Sequence, residues 1–221
     1  MNIKDINGLK YPDEYFIKFF FKYALHNSEN SKYLELGCSN GCNLMLPYQY
    51  DNHVIGVDLD KTLIEYANAN FKELNQDIKY KFYTEDMRDF CQNQKKLDAD
   101  GLILANSIYY IPKSDFILML QNIKINSLIK RDIPLFIRFR LPDDFRNHKG
   151  EVVAENSIIM QNGITGEDGI YCKFYEISEM VEILQKELGL RDFQSMSIKY
   201  ENIQNQTKVN NSDAVIWGTI N

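Results

Sequence analysis

Apolar positions follow two periods along this chain. Over residues 13 to 26, Tyr15, Phe16, Phe19, Phe20 and Tyr23 recur at helical spacing and predict an opening helix with one core-facing side. From residue 32 the pattern becomes short apolar runs alternating with amphipathic stretches. KYLELG (32–37), HVIGVDL (53–59) and IKYKFY (78–83) read as strands, DADGLILANSIYYI (98–111) contains a fourth, and IPLFIRF (133–139) is a fifth. Helices are predicted over 60–74, with Asp60 as N-cap, and over 114–130. Near-continuous apolar strands alternating with helices imply a parallel sheet covered on both faces. The ligand of such a sheet lies at the carboxyl ends of its strands.

The last third breaks that rhythm. EISEMVEILQKELG (176–189) predicts a helix closed by Gly189, followed by strands at 191–201 and 214–220 with only a polar stretch between them. Two strands so joined pair antiparallel. Between the fifth strand and this helix, residues 141–175 hold the turn-rich QNGITGEDG (161–169), flanked by VVAENSIIM and IYCKFY, which both read as strands. The expectation is an inserted β-hairpin lid on an α/β, doubly wound, Rossmann-like seven-stranded sheet. The whole, 1–221, is expected to form one domain.

Composition narrows the partners. At 221 residues and 44% hydrophobic content the chain can bury a full core. Its net charge of −6 argues against a protein built to grip phosphate backbones. No apolar run approaches the roughly 20 residues that cross a bilayer. The N-terminus lacks the basic and apolar regions of a signal peptide, so a cytoplasmic protein is expected. Cys38, Cys42, Cys91 and Cys172 match neither a zinc ribbon nor a redox pair and read as reduced, buried residues. No metal site is expected.

The candidate chemistry starts at LELGCSNGCN (34–43). Gly37 and Gly41 with only Cys, Ser and Asn between them make a loop that lets backbone approach a ligand and leaves amide groups as donors. A dinucleotide loop would carry a middle glycine where Ser39 stands. Asp58, ending the second strand, can accept both hydroxyls of a ribose. Alone, loop and acid specify an adenosine-type ligand.

With the terminal antiparallel pair, the chain from KYLELGCSNG to AVIWGTI resembles the class I S-adenosylmethionine-dependent methyltransferases. The resemblance implies S-adenosyl-L-methionine as cofactor and S-adenosyl-L-homocysteine as product. It implies that Glu35, Gly37, Ser39 and Gly41 surround the methionine part and that Asp58 holds the ribose. Leu59 and Met87 are then expected to flank the adenine, with Asp86 at its amine. Asn106, and with it Ser107, would lie near the methionine end, and Tyr11 could close over the cofactor or simply pack. Family members commonly have glycine where this chain has Ser39.

For the acceptor, His148, in RLPDDFRNHKGE (140–151), is the candidate general base, with a solvated loop histidine as the alternative. Asp143 and Asp144 share that loop. Arg140 with Arg146 and Lys149 could form an anion site, unless they pair with Asp143, Glu151 or Glu155. Tyr109 and Tyr110 could line the acceptor pocket or the core. NSIYY (106–110) lacks the proline pair of amino-methylating DNA enzymes, and no cysteine follows a proline as in cytosine enzymes, so a small-molecule substrate is expected over nucleic acid. The late TGE turn and the NSDAVIWG ending resemble methyltransferases found among bacterial surface-polysaccharide genes, which suggests O-methylation of a sugar, a sugar-phosphate or a related phosphorylated or carboxylated metabolite. Two alternatives stay open: a catalytically silent methyltransferase-like binding subunit and a nicotinamide-dependent dehydrogenase.

Overall fold

The computed structural model describes residues 3–74, 79–204 and 206–221. Helix α1 (Glu14–Lys22) starts where the Asp13 side chain accepts the amides of Tyr15 and Phe16. It is shorter than the predicted 13–26, because Ala24 turns left-handed (φ 53°) and a single 3₁₀ turn, Leu25–Asn27, follows. Then come β1 (Lys32–Leu36), α2 (Met45–Gln49), β2 (His53–Asp58), α3 (Lys61–Leu74), β3 (Tyr80–Thr84), α4 (Met87–Asn93), β4 (Gly101–Ala105), α5 (Lys113–Ile125) and β5 (Ile133–Arg140). Residue 78, which the strand pattern placed at the start of β3, lies outside the described residues.

Asp60 caps α3 as expected, accepting the amides of Thr62 and Leu63. Helix α5 stops five residues before the predicted 130. The Asn126 amide there donates to the carbonyls of Cys91 and Gln92, and Ser127 is left-handed. Leu128 and Ile129 are buried in the loop beyond, which is why the apolar pattern outlasts the helix.

The chain continues through β6 (Gly150–Ala154), β7 (Ser157–Met160), β8 (Tyr171–Lys173), α6 (Ile177–Leu188), β9 (Arg191–Gln204) and β10 (Thr207–Ile220). The main sheet has seven strands in the order β3-β2-β1-β4-β5-β10-β9. Its first five strands run parallel, and β10 pairs antiparallel with both β5 and β9. Strand alternation divides the core in two. Leu34, Leu36, Leu102, Leu104, Leu135 and Ile137 face α4, α5 and α6. Tyr33, Ile103, Phe136, Val215 and Trp217 face α1, α2 and α3. Glu35 falls on the second, otherwise apolar side by the same alternation.

Two expectations are corrected at the end of the chain. The polar stretch 202–213 is not a loop: β9 and β10 remain paired through it, from Asp213–Ile198 out to Thr207–Gln204. The ribbon runs past β5, and although Val209, Asn211 and Ser212 are buried there, two of these three are polar, so no apolar alternation marks the strand. The segment between β5 and α6 is not one hairpin either. VVAENSIIM reverses at Glu155–Asn156, with Asn156 left-handed (φ 48°), and forms β6 and β7. β8 adds to β7, giving a separate three-stranded antiparallel sheet. Among the described residues, no helix is long and apolar enough to cross a membrane.

Candidate active site

The carboxyl ends of β1, β2, β3 and β4 open into one cavity of about 750 Å³, a size suited to a nucleoside-sized ligand and more. The glycine loop lies at its centre. Gly37 (φ 79°) and Gly41 (φ 75°) are left-handed. A Cβ on Gly37 would stand 2.2 Å from the Ser107 Cβ, so the loop can pass the end of β4 only as glycine. The amides expected to be free donors are engaged. Gly37 and Cys38 donate to the Val57 carbonyl at 2.8 and 3.0 Å, Gly41 donates to Cys38 at 2.9 Å, and Ser39 donates to Asp58 at 2.7 Å. The loop is thus folded back on β2, and those amides cannot cradle a pyrophosphate.

On the β2–β3 side the cavity is bounded by Asp58, Leu59, Leu63, Asp86, Met87 and Arg88. The Asp58 carboxylate is fixed, one oxygen receiving the Ser39 amide and the other the Asp60 amide at 3.0 Å. Each oxygen keeps a lone pair for a further donor. Leu59 is 71% exposed at the mouth. Asp86 caps α4 through the Arg88 amide, and its carboxylate takes the Arg88 side chain at 3.0 and 2.7 Å. That hydrogen bonding holds its carboxyl below the ordinary range. The arginine of TEDMRDF carried no role in the sequence reading, yet it lines the cavity.

The floor is Glu35. It is fully buried, and one oxygen accepts from the Asn43 amide at 2.7 Å. The other oxygen has no hydrogen-bond partner. Burial pushes its pKa up to about 8, with the charges of Asp58 and Asp13 adding to the rise against the bond from Asn43. Asn43 also accepts the Asp13 amide at 2.8 Å, and Asp13 and Asp213 both hold Arg138 at 2.6 Å. Neither Asp13 nor Asn43 was marked by the sequence pattern, because only the fold brings the start of α1 beside the loop. Asn40 of the loop donates to the carbonyls of Asn7 and Leu9 at 2.6 and 2.9 Å, which lays residues 7–11 across the site. Tyr11 lines the cavity there, 70% exposed.

On the β4 side stand Asn106 (φ 59°), Ser107, Tyr110 and Ile111, and the segment between β5 and α6 contributes Ile170. Ser107 donates to the Leu36 carbonyl at 2.7 Å, tying β4 to β1.

Several acceptor-side expectations fail here. Tyr109 does not reach the cavity. It is buried, with its ring 4.5 Å from Tyr110 and 4.3 Å from the Arg140 guanidinium. Arg140 and Arg146 form no open anion site: Glu167 holds Arg140 at 2.5 Å and Arg146 at 2.9 Å, and buried Asp144 holds Arg146 at 3.0 Å. The partners are therefore Glu167 and Asp144, not Asp143, Glu151 or Glu155. Lys149 is exposed. His148, the proposed base, is exposed and opens onto a second cavity with Leu141, Glu176 and Lys199, away from the glycine loop. Its loop is turned outward by the Asp144 cap on the 3₁₀ turn Phe145–His148. Asp143 is spent on Lys199 and Ser212. All four cysteines are free and buried.

A glycine loop folded against an acid-tipped second strand, on a sheet that ends in an antiparallel pair, defines the class I methyltransferase architecture. Residues 34–125, from β1 to the end of α5, match the family model described as a methyltransferase domain. The chain also aligns with a solved S-adenosylmethionine-dependent methyltransferase from Methanosarcina mazei (16% identity, 88% of this chain and 95% of that one, TM-score 0.63). A second likeness is the Burkholderia thailandensis 1,6-didemethyltoxoflavin-N1-methyltransferase, solved with 1,6-didemethyltoxoflavin and S-adenosylhomocysteine (12%, 94% and 78%, TM-score 0.60). An uncharacterized Rickettsia prowazekii protein is 53% identical over 49 residues, which is 21% of this chain and 9% of that protein. Residues 34–125 therefore match a methyltransferase domain, and the chain has the fold of the solved S-adenosylmethionine-dependent methyltransferases.

Proposed function

We propose that the chain transfers the methyl group of S-adenosylmethionine to a small-molecule acceptor. The observation that carries this reading is the pairing of a fixed, still-accepting Asp58 with a buried Glu35 whose second oxygen lacks a partner, on the two sides of the glycine loop. A nucleoside with a cationic amino acid tail satisfies both. Asp58 receives the ribose hydroxyls, and Glu35 receives the ammonium that its stranded oxygen otherwise lacks. Leu59, Leu63 and Met87 supply the apolar walls for the adenine, and Asp86 accepts its amine. Gly37 and Ser39 carry the backbone beneath the methionine part, while Gly41, which does not line the cavity, turns the loop against Phe71 and Phe82. Asn106 lies at its far end, and Tyr11 closes the site from above.

The bound cofactor supplies an activated methyl on a sulfonium, displaced in line by the acceptor atom. What remains for the protein is to align the acceptor and exclude water. The β4 side, with Tyr110, Ile111 and Ile170, is the wall against which an acceptor would be aligned. The sheet formed by β6, β7 and β8 then serves as lid and specificity element on a single domain. A hydroxyl acceptor remains the reading, without the charge of a phosphate. With Arg140 and Arg146 neutralised, the phosphorylated and carboxylated metabolites lose the site that would recognise them.

Calorimetry decides the cofactor. Binding of S-adenosylhomocysteine with no binding of a nicotinamide dinucleotide is the expected result, and absence of S-adenosylhomocysteine binding refutes the reading.

A further inference from the structure

The arginines at and behind this cavity are all held by carboxylates, Arg88, Arg138 and Arg146 by two each and Arg140 by one. Arg88 lies between Asp86 and Asp115, and Arg138 between Asp13 and Asp213. Arg140 and Arg146 share Glu167, and Arg146 also takes Asp144. Beneath the β4 side this sets three guanidinium groups against four carboxylates. Among the described residues no lysine lines the cavity.

Glu167 is the residue on which the balance turns. It sits in the loop between β7 and β8, with its side chain 14% exposed. One oxygen accepts from Arg140 and from the Tyr110 hydroxyl at 2.7 Å, and the other accepts from Arg146. Tyr110 faces the cavity, and the Arg140 guanidinium lies 5.6 Å from its ring centre. The carboxylate thus draws two cations away from the acceptor wall and presents an aromatic ring in their place. Three residues along, Ile170 extends the same wall.

We infer that Glu167 sets the charge selectivity of the acceptor site, so that the site takes an uncharged acceptor with a flat apolar face and rejects a phosphorylated one. The inference rests on the methyltransferase reading only for the word acceptor. The physical reason is that a phosphate brought against Tyr110 and Ile170 loses its hydration and meets no free cation, whereas an aromatic ring or the apolar face of a sugar loses little. Glu167 acts as a positioning residue, through Tyr110 and the two arginines.

A naphthol and its phosphate ester differ only in the group at issue. Both are titrated into the full chain by protein NMR, with and without S-adenosylhomocysteine, so the charge preference is read whatever becomes of the cofactor reading. The expected result is binding of the naphthol at least about tenfold tighter than its phosphate, with shifts at Tyr110 and Ile170. Equal affinities, absence of binding by both, or tighter binding of the phosphate overturns the inference. Glu167→Gln should narrow the ratio by releasing one guanidinium. The double variant Glu167→Gln with Arg140→Gln, which removes the guanidinium that Glu167 alone holds, should bring the preference back. An unchanged ratio in Glu167→Gln, or no recovery in the double variant, removes Glu167 from the selectivity.

Discussion

Replacing Glu35 by Gln keeps the shape of the cavity floor and the oxygen that accepts from Asn43, while removing the titratable proton. In the free protein the Glu35 pKa is raised from an ordinary carboxylate value to about 8. Between those values the folded chain holds a proton that the unfolded chain has released. Stability is therefore fully present below the unfolded pKa and is lost as pH rises toward 8. From pH 5 to pH 7 the loss through this one group is about 3 kcal/mol, at about 1.4 kcal/mol per pH unit. In a chain of this size that corresponds to roughly 5–10 °C of melting temperature. Glu167, Asp86 and Asp143, whose pKa values are depressed, change stability only in more acid solution and do not enter this window. Thermal unfolding of the wild type and of Glu35→Gln at pH 5, 6 and 7 should show the two melting temperatures diverging, with the variant gaining. A second readout follows from pairing Glu35 with the cofactor's ammonium, which pulls the pKa down. Binding of S-adenosylhomocysteine at pH 7 should then release close to one proton, seen as a dependence of the binding heat on buffer ionisation enthalpy, and Glu35→Gln should release none. A melting difference independent of pH, together with no proton release, refutes the assignment of Glu35 as a neutral buried acid awaiting a cation.

The other predictions are simpler. Asp58→Ala should weaken S-adenosylhomocysteine binding at least about tenfold by calorimetry, since it removes the proposed ribose acceptor and the partner of the Ser39 and Asp60 amides. Gly37→Ala should destabilise the chain by about 1–3 kcal/mol in urea unfolding and weaken cofactor binding, because the added methyl meets Ser107 in a left-handed conformation. His148→Ala should leave S-adenosylhomocysteine affinity and melting temperature within error of the wild type, because the ring is exposed and faces another cavity; a tenfold loss of affinity would return it to the site.

The strands and the order of their helices were legible because each strand writes its own apolar run and each helix its own period, and those signals are local. Ends were less so. Leu128 and Ile129 carry the apolar pattern of α5 past its last turn, and the reversal at Glu155–Asn156 hides inside what reads as one strand. That Glu35, Gly37, Ser39, Asp58 and Asp86 line one cavity was legible for the same local reason, since all are tied to strand ends that the pattern marks.

What the chain determined by sequence alone is thus the alternation of elements, the glycine loop and the acids beside it, since each needs only its neighbours along the chain. Charge pairing across the fold is different. Whether Arg140 and Arg146 face a ligand or a carboxylate depends on where a loop 27 and 21 residues away comes to rest, and Glu167 carries no periodic or motif signal of its own. The same holds for Asp13 and Asn43 beside Glu35, and for His148 turned to the wrong cavity. Coulomb energy depends on distance through space, and only the tertiary structure decides which charges lie close enough to cancel.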